Sequence, residues 1–169
     1  VAATPITPDQ YYYTDANLSL NGSVSLWEGD HMTWCPQSGG TLSGNGTISC
    51  PDLSEYGPGY FPDWEFVVES NGTGVTIESG VTLRNVTLYA YGDAELVCKN
   101  TFHNASIDGE KIDLTHAKFS GYTDFEMGSG AVYTRPTFEV GRASGIYVFR
   151  ESERWGGVGP YVKPVMNGN

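Results

Sequence analysis

Apolar and polar residues alternate along this chain in short runs, and glycines cut the runs apart. Leu18-Ser19-Leu20 and Val24-Ser25-Leu26-Trp27 flank Asn21-Gly22, and Thr33-Trp34-Cys35 precedes a glycine-rich stretch from Gly39 to Ile48. Brief β-prone runs predict strands at residues 64–68, 75–77, 81–83, 86–90, 95–98, 112–114, 118–119, 132–133 and 146–149. Residues 51–63 carry three prolines and two glycines, which predicts a loop. No segment holds an apolar 3.6-residue period through three turns without glycine, so no long helix is expected. Pro5 and Pro8 block helix and discourage a central strand. Residues 1–16 therefore read as an extended N-terminal arm, 17–150 as a single all-β domain and 151–169 as an extended C-terminal segment.

A longer period overlies these runs. Val67, Leu88, Ile107, Met127 and Val148 recur at intervals close to 20 residues, as do Ile77, Val97, Phe119 and Val140, and Tyr91, Ile112 and Tyr133. Three apolar ladders at one period predict a short parallel β-solenoid, or β-helix. Each coil would have three short strands and bury one inward stack per face. An apolar-rich β chain offers some ladder at any period, so an antiparallel β-sandwich or jelly roll is the alternative.

Two stretches carry a resemblance. GGTLSGNGTI, from Gly39 to Ile48, resembles coils of autotransporter adhesin passengers. VTIESGVTLRNVTLY, from Val75 to Tyr89, is similar to coils of pectate-lyase-like right-handed β-helices. The resemblance covers 25 of the 169 residues and is compositional. It implies a right-handed parallel β-helix and adhesive or carbohydrate-facing work, and it carries over no catalytic residue.

Charge and modification signals narrow the function classes. Nine Lys plus Arg against twenty Asp plus Glu give a net charge of −11. Such a surface repels phosphate backbones and anionic lipid, so neither nucleic acid nor an anionic membrane is an expected partner. No run of 18 apolar residues exists, so no membrane insertion is expected. The first residue is Val1, which reads as a processed product or a fragment. Asn-x-Ser/Thr occurs six times, at Asn17, Asn21, Asn45, Asn71, Asn85 and Asn104. Composition alone gives roughly 1.5 such sequons. The excess predicts a secreted glycoprotein, extracellular or on a cell or virion surface, from a eukaryotic, archaeal or viral source. Asn-Gly-Ser/Thr turn chemistry accounts for Asn21, Asn45 and Asn71 but not for the other three. Cys35 and Cys50 enclose a short loop, and a disulfide between them would contribute about 3 kcal/mol through loop closure. Cys98, in an apolar stretch, is then buried and free or paired to another subunit.

Candidate chemistry is sparse. Asp93, Glu95, Asp113 and Arg84 are the groups a pectate-lyase-like site would draw on, with Asp93 and Asp113 stacked on adjacent coils. Glu28-Gly29-Asp30-His31 gathers polar groups near Trp27 and Trp34, while His103 and His116 stand apart as surface histidines. Trp27, Trp34, Trp64 and Trp155 suit either a core or sugar stacking. No zinc spacing, nucleophile elbow or phosphate loop occurs, so no enzyme activity, metal or cofactor is expected. The favoured reading is a structural or adhesive subunit of an extracellular filament, fibre, spike or coat, with copies of itself as partners. Its assembly residues would lie in the arms: Val1, Ile6, Tyr11, Tyr12 and Tyr13, then Trp155, Tyr161, Val162 and Val165. A polysaccharide-binding or polysaccharide-cleaving β-helix is the alternative.

Overall fold

A computed structural model describes residues 2–26, 31–53, 65–109, 111–127, 137–139, 147–151 and 165–167. Among them there is no helix, and every strand pairing is parallel. The all-β expectation holds, and the antiparallel sandwich and jelly roll are excluded. Fourteen strands join one sheet that does not close, and β14 (Thr137–Glu139) pairs β16 (Val165–Asn167) separately.

The pairings form three ladders. The first holds β2 (Tyr12–Tyr13), β4 (Met32–Trp34), β6 (Glu65–Glu69) and β9 (Thr87–Tyr91). It continues through the later halves of β11 (Thr101–Gly109) and β13 (Lys118–Met127) to β15 (Tyr147–Glu151). The second joins β1 (Thr4–Pro5), the start of β3 (Asn17–Ser25), the start of β5 (Gly40–Ser49), β7 (Val75–Ile77), β10 (Leu96–Cys98) and β12 (Ile112–Asp113). The third stacks the ends of β3 and β5 on β8 (Val81–Arg84) and the starts of β11 and β13. From β2 to the end of β13 the chain visits the ladders in the same order on each pass.

Alternation at period two turns every second residue inward. The inward columns are apolar: Met32, Phe66, Leu88 and Ile107 on the first ladder, Leu18, Leu42, Ile77 and Cys98 on the second, all fully buried. On the third, Val24, Ile48, Leu83, Phe102 and Phe119 line up, with the two phenylalanine rings stacked at 5.4 Å. Burying a side chain of this size contributes roughly 1.5–3 kcal/mol.

Register corrects the expected ladders. Val67 faces outward beside Tyr89, and Phe66 is the partner of Leu88. Ile77 pairs Cys98 rather than Val97, and Phe119 sits over Phe102 on the third ladder. Tyr91 belongs to the first ladder and Ile112 to the second. Phe125, not Met127, continues from Ile107, and it pairs Phe149 rather than Val148. A shift of one residue moves a side chain to the opposite face, so counting apolar residues without parity mixes the two faces. Tyr133 and Val140 lie outside the described residues, as do Trp27, Glu28, Gly29, Asp30, residues 54–64, residues 132–133 and Trp155, Tyr161 and Val162.

The N-terminal arm is also corrected. Thr4–Pro5 pairs with Leu18 and Ser19 of its own chain, and the Ile6 amide donates to the Ser19 carbonyl at 2.8 Å. Ile6 and Tyr13 are buried in the core, Tyr11 packs against it, and the Thr7 amide donates to the Tyr13 hydroxyl at 3.0 Å. Residues 4–13 close the apolar end of their own stack, because leaving Ile6 and Tyr13 in water costs more than ordering the segment. At the other terminus, Val165 pairs Thr137 within the chain.

Candidate functional site

The first ladder turns a polar and aromatic cluster outward. Glu69 and Tyr91 are in register on β6 and β9, and Cys35 follows Trp34, the partner of Val68. Adjacent parallel strands lie about 4.8 Å apart, so these side chains meet across the ladder. The Tyr91 hydroxyl donates to Glu69 Oε2 at 3.4 Å, and the Cys35 thiol and Asn71 amide also reach this carboxylate. The thiol first, then the amide, hold Glu69 below the usual carboxylate range. Burial, then the Glu69 carboxylate, push the Cys35 thiol up to about 11. Burial first, then Glu69, raise the Tyr91 hydroxyl. Tyr12 stands beside Cys35 with 59% of its surface in water, and Tyr89 lies 5.2 Å from Tyr91 ring to ring.

This cluster is suited to binding rather than proton transfer. Glu69 is already ionised and its oxygens are engaged by three donors, so it is poorly placed as a general acid. The tyrosines offer aromatic faces and hydroxyls that match the alternating apolar and polar faces of a sugar ring. Sequence reasoning puts Tyr12 in an assembly arm and Cys35 in a disulfide, and it singles out neither Glu69 nor Asn71. Only the 22-residue step from Glu69 to Tyr91 resembles the expected period, whereas β4 and β6 are 34 residues apart in register.

The carboxylates chosen from the sequence do not converge as expected. Asp113 is in register with Val97, not with Asp93. Asp93 Oδ1 accepts from the Gly72 amide at 3.2 Å, and Asp113 Oδ1 accepts from the Thr115 amide at 2.8 Å. Both are turn-binding roles. Glu95 is raised by burial and then by the charge of Asp113, and Arg84 is exposed on the third ladder, beside His103. His103 is half-buried with Nδ1 2.8 Å from Ser120 Oγ, and burial, then Arg84, lower its pKa. His31 and His116 are exposed, and Trp34 is a core residue whose Nε1 donates to the Asp15 carbonyl at 2.8 Å. Among the described residues, no group of three or more His, Cys, Asp or Glu is placed to hold a metal ion.

The Cys35–Cys50 disulfide is not formed; all three cysteines are free and buried. Cys35 turns to Tyr12 and Glu69 on the first ladder, whereas Cys50 ends the strand on the third and lines a cavity of about 330 Å³ with Ser25, Leu26, Ser49 and Pro51. Proximity in sequence therefore does not bring the thiols together. Burial pushes Cys50 up to about 12 and raises Cys98 as well.

The six sequons occupy unlike environments. Asn21 and Asn45 are exposed and in register with each other, and no hydrogen bond engages their amides. Asn17 Oδ1 accepts from the Thr41 amide and hydroxyl at 3.2 and 3.1 Å, and Asn71 is tied to Glu69. Asn85 is buried, with Nδ2 donating to the Cys50 carbonyl at 3.2 Å. Asn104 Nδ2 donates to Asn85 Oδ1 at 3.3 Å. Asn85 and Asn104 have φ of 56° and 49°, the left-handed region that Asn tolerates best after Gly. The turn role that the sequence does not suggest for them is the one they have. The fold leaves no room for a glycan on Asn85, whose amide nitrogen is already used inside the protein.

No protein-family model, curated protein or solved structure matches the chain. Among the described residues, no helix is long and apolar enough to cross a membrane.

Proposed function

We propose that this chain is the β-helical body of a secreted, N-glycosylated structural or adhesive surface protein. The observation that carries this reading is the stack of three parallel ladders over one continuous apolar core, visited in a fixed order from β2 through β13. Such a stack is stiff along its axis, because each coil is bonded to the next by backbone hydrogen bonds on three sides. Exposed, unengaged sequon asparagines at Asn21 and Asn45 support the glycoprotein part. Joining of copies into a filament would not use residues 4–13, which are occupied within the chain. The test is antibody labelling of intact source cells or particles, with mass measurement before and after glycan removal. Surface labelling and a mass loss are expected; labelling only after permeabilisation, with unchanged mass, overturns the reading.

A second reading, a polysaccharide-binding face, is favoured by exposed Tyr12 beside the Cys35–Glu69–Tyr91 cluster. Titration with neutral oligosaccharides, followed by tyrosine fluorescence, should respond in the native protein and weaken in Tyr12→Ala. No response with any neutral glycan removes this reading.

A further inference from the structure

The N-terminal end of the third ladder is open. β3 pairs β5 along its whole length, from Asn17 with Thr41 to Ser25 with Ser49. On its other side β3 is covered only at its start, where the β1 pairing ends at Pro5 with Ser19. Among the described residues, no strand pairs residues 20–25 on that side. Asn21, Gly22, Ser23 and Ser25 are exposed, and no heavy atom lies within 4 Å of where a Cβ on Gly22 would stand. Natural sheets blunt such edges with Lys, Pro, a bulge or a covering segment. β1 has Pro5 and β2 is two residues long, but Asn21-Gly22-Ser23-Val24-Ser25 has none of these devices. What it has is a sequon on the outermost strand.

We infer that Asn21 carries an N-linked glycan that guards this edge against pairing with a second copy of the chain. The inference rests on the glycoprotein reading above. In the attachment step, Asn21 Nδ2 bonds to the anomeric carbon of a diphosphate-activated oligosaccharide. The bond from that carbon to the diphosphate oxygen breaks, the diphosphate carrier leaves with the electron pair, and the amide gives up one proton. Asn45 stands one strand spacing from Asn21, about 4.8 Å. A strand added to the open edge would place a residue at the same distance on the opposite side, in the space that a glycan on Asn21 sweeps. Two identical edges meet about a two-fold axis, which pairs them antiparallel and satisfies both rows of free backbone groups. The bare edge is thus self-complementary, and the glycan prevents its use.

The test compares three proteins from a glycosylating host: wild type, Asn21→Gln and Asn45→Gln. Occupancy is mapped by peptide mass spectrometry, and molar mass is measured by light scattering over a hundredfold range of concentration. Wild type and Asn45→Gln should stay monomeric, whereas Asn21→Gln should approach twice the monomer mass. Adding Ser23→Pro, which removes an edge donor, should return Asn21→Gln to the monomer. The inference is overturned if Asn21→Gln remains as monomeric as wild type, or if wild type with Asn21 occupied dimerises equally. An unmodified Asn21 beside an occupied Asn45 also overturns it while leaving the glycoprotein reading intact. Absence of glycan at every sequon removes both.

Discussion

Asn21 and Asn45, at the corner between the second and third ladders, are exposed and unengaged. Asn85 and Asn104, at the corner between the third and first, adopt positive φ and bond to each other and to the Cys50 carbonyl. All four head the same Asn-x-Ser/Thr pattern. The second pair supplies its own backbone turn and satisfies a buried acceptor on the coil before, so its tripeptide is a folding signal. The first pair contributes nothing to the fold's side-chain hydrogen bonding and is free for modification. Gly121 extends the buried column: at φ +73°, a Cβ there would collide with Asn104 Oδ1.

Breaking the buried corner should have the largest effect. Asn85→Ala removes two hydrogen bonds and places Ala in the left-handed region. A loss of about 3 kcal/mol is expected, at ~1 for each term, read by urea unfolding. An effect under half that size would show that the column is not structural. Asn104→Ala should cost about 2 kcal/mol by the same count. A double-mutant cycle with Asn85→Ala should then give clearly non-additive losses, because the two amides share a bond. Asn21→Ala and Asn45→Ala, assayed as unglycosylated protein, should stay within ~0.5 kcal/mol of wild type. Equal losses at all four positions would erase the contrast between the corners.

The pH dependence separates the faces. Glu69 is held low in the fold, so its contribution is full above the unfolded carboxylate range and is lost as pH falls through its folded pKa. Glu69→Gln should therefore flatten the acid limb of the stability curve. Cys50 is raised to about 12, so its contribution is full below the ordinary thiol range and is lost as pH rises toward that value. Cys50→Ala should flatten the alkaline limb. The smallest measurement is a thiol count: three thiols should react in denaturant, and Cys98 should be the last to react in the native protein. Fewer than three would restore a disulfide.

Strand positions were largely legible. Val75–Ile77 falls where alternation puts it, and Val81–Arg84, Thr87–Tyr91 and Leu96–Cys98 differ from expectation by one residue at an end. The strand from Thr101 to Gly109 was not legible, because Asn104 bends it between two ladders while backbone pairing continues on both sides of the bend. The site was less legible than the strands. Tyr12, Cys35, Glu69 and Tyr91 meet only because in-register strands bring together residues separated by unequal lengths of chain.

The sequence by itself determined that the chain is built of strands, since alternation and frequent glycine leave no helical face to bury. It also determined a repeat near 20 residues, which register bears out between β6 and β11, where partners lie 19 to 22 residues apart. Tertiary structure alone decided which apolar residues share a column, because parity depends on pairing and not on spacing. It also decided that the N-terminal segment closes its own stack rather than a neighbour's. And it divided six identical sequence signals, since only packing distinguishes an asparagine amide facing water from one spent on a buried carbonyl.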